Sequence, residues 1–140
     1  MKIEDVFVLI CTDRVFECRD FYVQHFGFVV SFQSTIYVQL HVDAPGGGGF
    51  SIAFMPPNHP FGDAYREVFS GKGAFVTIQV ADAAQAFKRV RDAGAPIVLQ
   101  LADEAWGQRH FMTQDPHGTL VDVVQSIDPV PGYYDQYEVK

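Results

Sequence analysis

Charged residues are scarce in this sequence, and basic residues are the scarcest of them. Charged side chains make up 19% of the 140 residues, and 10 Lys and Arg against 17 Asp and Glu give a net charge of -7. Nucleic acids and anionic membranes are bound through basic surfaces. We therefore expect neither as a partner, and the negative charge favours a cationic ligand.

The sequence also has few cysteines and no apolar run of membrane length. Cys11 and Cys18 match no zinc-binding spacing and lie in an apolar segment, which indicates two buried thiols and a reducing compartment. The apolar stretch from Val6 to Cys11 is far shorter than the roughly 20 residues of a membrane span. The N-terminus lacks the features of a signal peptide. These observations predict a soluble, cytoplasmic protein.

Motifs of several familiar active sites are missing. No G-x-S-x-G sequence marks a nucleophilic serine. The tract Pro45-Gly46-Gly47-Gly48-Gly49 lacks the Gly-Lys-Ser/Thr of a phosphate-binding loop. Because it lies between two strand-like runs, we interpret it as a flexible hairpin connection. No two histidines have the i, i+4 spacing of a helical metal site; they stand at positions 25, 41, 59, 110 and 117.

Aromatic residues, by contrast, are abundant. They make up 14% of the chain, as 13 Phe, 6 Tyr and one Trp. Such an excess fits either a large apolar core or an aromatic-lined binding cleft beside a core. The alternation of residues along the strands, described below, assigns some of these aromatic residues to a core and others to a cleft.

The pattern of apolar residues predicts the order strand, helix, strand, strand, strand twice. In the first half, apolar residues at three- and four-residue spacing predict a helix from Val15 to Phe26, with Asp13 as N-cap and Gly27 at the C-terminal end. In the second half, Asp82 caps a helix that ends at Gly94. The strand-like segments cover residues 3–10, 28–33, 35–42, 50–55, 74–80, 97–101, 108–113 and 119–125.

This repeat predicts an α+β fold of two tandem βαβββ modules in a single domain spanning residues 1–140. Module 1 covers about residues 3–56 and module 2 about residues 74–127. A connector of about residues 57–73 joins them, with a short helical piece around 63–69, and an irregular tail follows at 128–140. Each module is too small to bury both sheet faces, so the modules must pack or pair.

Alternation along the strands separates an apolar face from a mixed face. Phe50 and Phe54 fall on the apolar face, which packs under the helices with Phe21 and Phe87. The other face has the composition of a ligand pocket; it carries Tyr37, Gln39, His41, Ser51, Ala53, Met55, Phe75, Thr77, Gln79, Leu120, Asp122 and Val124. The alternative is a face covered by a second sheet, with its amides paired internally.

Three segments of the sequence are distinctive. They are Phe21-Tyr22-…-His25-Phe26-Gly27-Phe28, Trp106-Gly107-Gln108-Arg109-His110-Phe111 and Asp115-Pro116-His117-Gly118. Together they resemble the vicinal oxygen chelate superfamily of glyoxalase I, bleomycin-resistance proteins and extradiol dioxygenases. The resemblance spans about Ile3 to Gln125 and implies βαβββ modules whose curved mixed sheets enclose a cleft. Many functions share this fold, so function has to be argued from the site.

The resemblance also implies where a metal would be held. In the family's enzymes, the first and last strands of each module each supply one ligand. The matching positions here fall near Phe7 and on Ala53, Phe75 and Asp122. Only Asp122 carries a donor atom, whereas a catalytic ion takes about three or four protein ligands. We therefore expect no metal site and no other cofactor.

In this respect the sequence is similar to the metal-free bleomycin-resistance branch of the family. Those proteins are homodimers that sequester a planar, cationic drug in an aromatic-lined groove. The resemblance thus implies a homodimer that binds a planar, aromatic, cationic small molecule, through stacking and carboxylate attraction. The candidate ligand-binding residues are Tyr37, Gln39, Phe75, Gln79, Trp106, Arg109, Phe111 and Asp122.

Two of these residues have a second interpretation. Trp106 fits a structural role as well as a stacking one. Arg109 has competing acidic partners in Asp122 and in the pair Asp103 and Glu104.

An enzyme is the alternative function. One form is a metal-dependent lyase, isomerase or dioxygenase of the glyoxalase I type that uses His41, His110 and Asp122. Another is metal-free acid–base catalysis centred on Asp122, with His110 or His41 nearby. The sequence leaves open whether any reaction is catalysed.

Overall fold

The computed structural model describes residues 1–57 and 62–137 of the chain. His59 and parts of the predicted connector and tail lie outside the described residues. The chain folds into two compact units; the first unit comprises Met1–Lys72 with Asp115–Gly118, and the second comprises Gly73–Gln114 with Thr119–Lys140. That the two form a single domain stays a prediction.

Each unit contains one βαβββ module, which confirms the predicted repeat. The first unit contains β1 (Val8–Cys11), α1 (Val15–Phe26), β2 (Val29–Gln33), β3 (Val38–Asp43), β4 (Gly49–Met55) and a 3₁₀ turn (Asp63–Tyr65). The second contains β5 (Phe75–Gln79), α2 (Ala83–Asp92), β6 (Ile97–Glu104), β7 (Gln108–Gln114), β8 (Leu120–Ser126) and a 3₁₀ turn (Tyr133–Tyr137). No helix among the described residues is long and apolar enough to cross a membrane.

The two sheets have the same topology. Their strand orders are β1-β4-β3-β2 and β5-β8-β7-β6. In each sheet the first strand runs parallel to the last, and the other neighbours are antiparallel. Both sheets are mixed, as expected, and both are open, with β1 and β2 or β5 and β6 at their edges. The structure thus shows open sheets where the resemblance implied curved ones, and the enclosed cleft stays a prediction.

The helix boundaries follow local signals in the sequence. Gly27 ends α1 at φ +71°, a left-handed conformation that favours glycine. Asp82 caps α2 by accepting a hydrogen bond from the Gln85 backbone N–H at 3.0 Å. The prediction of Asp13 as the cap of α1 is wrong, since Arg14 occupies the N-cap position and no side chain caps the helix there. Thr12 Oγ1 accepts from the Arg14 backbone N–H at 3.0 Å in the turn that precedes the helix.

The glycine tract, the first strand and the tail can each be compared with the prediction. The glycine tract is a hairpin connection between β3 and β4, as predicted, with a hydrogen bond from Ala44 N to Gly48 O of 3.2 Å. The first strand is shorter than predicted and starts at Val8, because the segment before it is exposed. The tail is irregular up to its short 3₁₀ turn.

In the first unit, α1 covers one face of the sheet. Tyr22 and Phe54 are fully buried, and their rings stack with centroids 5.7 Å apart. The Tyr22 hydroxyl donates to Asp115 Oδ2 at 2.8 Å, which ties the turn 115–118 to α1. Burial raises the pKa of the neighbouring Cys18 thiol to about 12, and both cysteines are free thiols.

One expected core residue is not buried. The Phe50 side chain is 67% exposed, although it lies on the predicted face of β4. It stands at the end of the strand, next to the glycine-rich turn and paired with Val42. Strand alternation correctly predicts its face but not whether that end of the face is covered.

Candidate functional site

The second unit presents its polar side chains on the sheet face opposite α2. Phe111 marks the α2 side, because its ring contacts Phe87 of that helix at 5.3 Å. Residues of the other parity form what we call the open face of the second unit: Phe75, Thr77, Gln79, Ala102, Glu104, Gln108, His110, Met112, Leu120, Asp122, Val124 and Ser126. Phe75 is 54% exposed there.

A three-residue ionisable network lies at the centre of this face. His110 Nδ1 is 2.8 Å from Asp122 Oδ1, and His110 Nε2 is 3.1 Å from Glu104 Oε1. The imidazole is almost fully buried, whereas the Glu104 side chain is partly exposed. Because both ring nitrogens face carboxylates, the doubly protonated imidazolium satisfies all of these contacts.

The same contacts set the charge of the network. Burial by itself lowers the pKa of His110, but hydrogen bonds to Asp122 and Glu104, and the charges of these carboxylates, together outweigh it. The pKa of His110 therefore lies above its ordinary value of 6.5. The network contains two acidic side chains and one imidazole, so its acidic groups outnumber its basic one, which suits a cationic ligand.

Trp106 lies beside this network, in the turn between β6 and β7. Its Nε1–H donates to Gln108 Oε1 at 2.9 Å, and its ring meets His110 edge to face at 6.0 Å. The side chain is 39% exposed. The indole is thus both anchored and accessible, which is the geometry that stacking on a ligand requires.

Gln79 lies at another part of the open face. Its Nε2–H donates to Ser126 Oγ at 3.2 Å. The structure therefore brings Phe75, Gln79, Trp106 and Asp122 together with His110 on a single face.

The corresponding face of the first unit is polar but carries no comparable buried ion pair among the described residues. The Tyr37 hydroxyl donates to Gln39 Oε1 at 3.1 Å, and the Tyr37 ring lies 6.0 Å from that of Phe32. Burial raises the pKa of Tyr37. His41 Nδ1 lies 3.0 Å from Ser51 Oγ, and its Nε2 lies 3.3 Å from the exposed Asp43 carboxylate.

Two predicted ligand-binding residues lie on the α2 side of the second sheet. Phe111 is 0% exposed and contributes to the core. Arg109 pairs with Asp103 through contacts of 2.6 and 3.0 Å, which settles which acidic partner it takes. Since the open face is on the opposite side, we leave both residues out of the functional proposal.

The donor set does not fit a metal. Where β1 adjoins β4 the facing residues are Leu9 and Ala53, and where β5 adjoins β8 they are Thr77 and Asp122. Phe7 precedes β1 and Phe75 lies two residues before Thr77, and a phenylalanine side chain offers no donor atom at either position. Within residues 1–57 and 62–137, no group of three or more His, Cys, Asp or Glu is arranged to hold a metal ion.

Sequence reasoning missed part of the network. Glu104 was considered only as a partner of Arg109, and Gln108 was not considered as a support for Trp106. Strand pairing gives the signal for both, because Glu104 faces Gln108, and Ala102 faces His110, across β6 and β7. The residues before the turn therefore belong to the same face as Asp122.

Comparison with known proteins identifies a family. The model of the Glyoxalase/Bleomycin resistance protein/Dioxygenase superfamily matches residues 6–123. The search of curated proteins finds no match to the sequence.

Solved structures share the fold at low sequence identity. A glyoxalase/bleomycin resistance protein/dioxygenase from Nocardioides is 17% identical, with a TM-score of 0.72 over 91% of this chain and 86% of that chain. TnmS3, an antibiotic binding protein from Streptomyces sp. CB03234, is 22% identical, with a TM-score of 0.64 over 90% of this chain and 98% of that chain. TioX from Micromonospora sp. ML1 is 23% identical, with a TM-score of 0.64 over 89% of this chain and 100% of that chain.

Proposed function

Because the chain belongs to the glyoxalase/bleomycin resistance protein/dioxygenase superfamily, we propose that it binds a small molecule without the help of a metal. The ligand class that fits best is planar, aromatic and cationic, and binding sequesters it as in antibiotic resistance. The protein acts as a homodimer in this proposal.

The observation that carries the proposal is the composition of the second unit's open face. Two accessible aromatic side chains, Phe75 and Trp106, share that face with a network of two acidic side chains and one imidazole at Glu104, Asp122 and His110. Aromatic faces attract flat rings and cations. Three of the four metal-ligand positions, in contrast, carry no donor atom. TnmS3, which shares the fold, is an antibiotic binding protein, and this supports a small molecule as the ligand.

Exposed apolar side chains support the homodimer. All five residues of the edge strand β2 are exposed, and Val29 and Phe32 are 60% and 58% exposed. Exposed apolar side chains on an unpaired strand edge favour pairing with another chain. Sedimentation or light scattering should give twice the mass of one chain; a monomer at micromolar concentration would contradict this part of the proposal.

Binding is tested with acridine orange, a planar aromatic cation, against acridone, a planar neutral molecule of similar ring size. Trp106 is the only tryptophan in the sequence, so quenching of its fluorescence reports directly on this face. We expect acridine orange to bind and acridone to bind more weakly. The Phe75→Ala change should weaken binding about fivefold, because a cation–π contact contributes about 1 kcal/mol.

Each variant has a matched control on another surface. Phe50→Ala removes another exposed phenylalanine, from the first unit, and Asp103→Asn removes a carboxylate from the α2 side of the second sheet. Asp122→Asn should weaken binding of the cation, whereas Asp103→Asn should not. Equal effects of Phe75→Ala and Phe50→Ala, or no binding of either dye, would refute the proposal.

Metal-free acid–base catalysis is the second candidate, and the contact of 2.8 Å between His110 and Asp122 favours it. A carboxylate hydrogen-bonded to an imidazole is a common proton-transfer pair. In that case Asp122→Asn abolishes turnover and leaves ligand affinity largely intact, whereas a binding protein loses affinity and has no turnover to lose.

Metal analysis of purified protein separates both candidates from an enzyme of the glyoxalase I type. Stoichiometric zinc, nickel or iron that survives dialysis would contradict metal independence. Loss of acridine orange binding on treatment with a chelator would contradict it as well.

A further inference from the structure

The segment after β8 is bound to the turn that carries Trp106. This turn, residues 105–107, joins β6 to β7, and each of its three carbonyl oxygens accepts a hydrogen bond from the tail. The three bonds are Ile127 N to Gly107 O at 2.9 Å, Val130 N to Ala105 O at 2.9 Å, and the Tyr134 hydroxyl to Trp106 O at 2.7 Å.

The tail also lies in close contact with the turn. Gly107 has φ +103°, and a Cβ atom added there would stand 2.9 Å from Ile127 O and 3.3 Å from the Pro129 ring. Any residue other than glycine would therefore strain the turn or move the tail. The glycine of the Trp-Gly pair is what allows this close approach.

The tail segment itself is held in one conformation. Pro129 and Pro131 flank Val130, and each proline fixes its own φ angle. The Tyr133 backbone N–H donates to Val130 O at 2.9 Å, and the Tyr133 ring packs edge to face on Tyr134 at 5.1 Å. Three hydrogen bonds from a restrained segment limit the motion of the turn.

The Trp106 side chain is anchored separately from its backbone. Its ring is held by Gln108 and contacts His110, both from β7, while its backbone is held by the tail. These two sets of contacts together fix the orientation of an indole that is still 39% exposed. A pre-oriented aromatic side chain loses less entropy when it binds a ligand.

We propose that residues 127–137 are a positioning element, which holds the turn 105–107 so that the Trp106 indole is presented in one orientation on the open face. The part of this inference that concerns ligand affinity rests on the proposed function. The part that concerns the orientation of Trp106 does not.

Two substitutions remove one tail donor each. Val130→Pro removes the backbone N–H that binds Ala105 O, and Tyr134→Phe removes the hydroxyl that binds Trp106 O. Val130→Ala keeps the N–H and controls for the exposed side chain. Tyr137→Phe removes a hydroxyl of the same cluster, from a ring that packs on Tyr133 with centroids 5.7 Å apart.

The first measurement is the fluorescence of Trp106 in the full chain without ligand. We expect Val130→Pro and Tyr134→Phe to lower the time-resolved anisotropy and to raise the acrylamide quenching constant about twofold, since local opening exposes the indole. Circular dichroism checks that the fold is kept. If both variants match Val130→Ala and Tyr137→Phe in these signals, the proposal is overturned.

The second measurement is the affinity for acridine orange. The same two variants should bind it about fivefold more weakly, as expected when one aromatic side chain has to be immobilised on binding. Unchanged affinity with a mobile Trp106 would overturn the role of the tail in binding. If the unmodified protein does not bind the dye, the proposed function fails, and the fluorescence signals alone decide whether the tail positions Trp106.

Discussion

The two units are built on the same module and differ in what their open faces carry. Both have the same strand order, and both bury an apolar face under a helix, with Phe54 at 0% exposure in one and Phe111 in the other. On the open side, the first unit has the neutral pair Tyr37 and Gln39, whereas the second has a carboxylate–imidazole–carboxylate network. The sheet face under the helix thus accounts for the fold of both units, and the two units differ in the chemistry of their open faces.

The largest expected effect concerns the sheet face that packs under the helix of the first unit. Phe54→Ala should destabilise the protein by about 3–5 kcal/mol, because it removes a fully buried ring and leaves a cavity. Phe50→Ala, four residues earlier on the same face of β4, should cost less than about 1 kcal/mol, because Phe50 is 67% exposed. Urea denaturation measures both free energies of unfolding.

A similar loss in the two variants would contradict the burial difference. It would indicate that Phe50 is covered in solution, for example by a second chain. Repeating the measurement at several protein concentrations separates these cases, since only the dimer explanation makes the stability depend on concentration.

The next effect compares the two histidines of the open faces. His110→Gln should cost about 2–3 kcal/mol, because it removes charge-assisted hydrogen bonds and leaves Asp122 and Glu104 facing each other without a cation. His41→Gln should cost less than about 1 kcal/mol, because His41 is more exposed and contacts a neutral serine and an exposed Asp43. Equal losses would remove the distinction between the two faces.

Local signals in the sequence account for what was predicted well. Spacing of apolar residues and a terminal glycine give α1 its bounds, Val15–Phe26, without error. Strand alternation correctly places Phe75, Gln79 and Asp122 on the same face of the sheet. Period-two alternation works there because β5, β7 and β8 pair without interruption.

Where regular alternation fails, so does the prediction. The pairing of β6 with β7 shifts register between Ile97 and Leu99 and again between Leu99 and Ala102. These irregularities change which side a residue faces, and β6 continues to Glu104, beyond the predicted end at residue 101. Glu104 was therefore not assigned to the site. Arg109 and Phe111 are predicted to contact a ligand, whereas their parity in β7 places them on the α2 side of the sheet.

The smallest expected effect is the pH dependence of the second unit's network. The pKa of His110 is raised in the folded protein. The network therefore contributes its full stabilising free energy at pH values below 6.5, the ordinary pKa of a histidine in an unfolded chain. That contribution declines as the pH rises through the folded pKa. The stability difference between the unmodified protein and His110→Gln should therefore be larger at pH 6 than at pH 9. Urea denaturation across this range measures it, with His41→Gln as the control. A difference that grows with pH would mean that His110 is buried as the neutral imidazole, with its pKa below 6.5 in the folded protein.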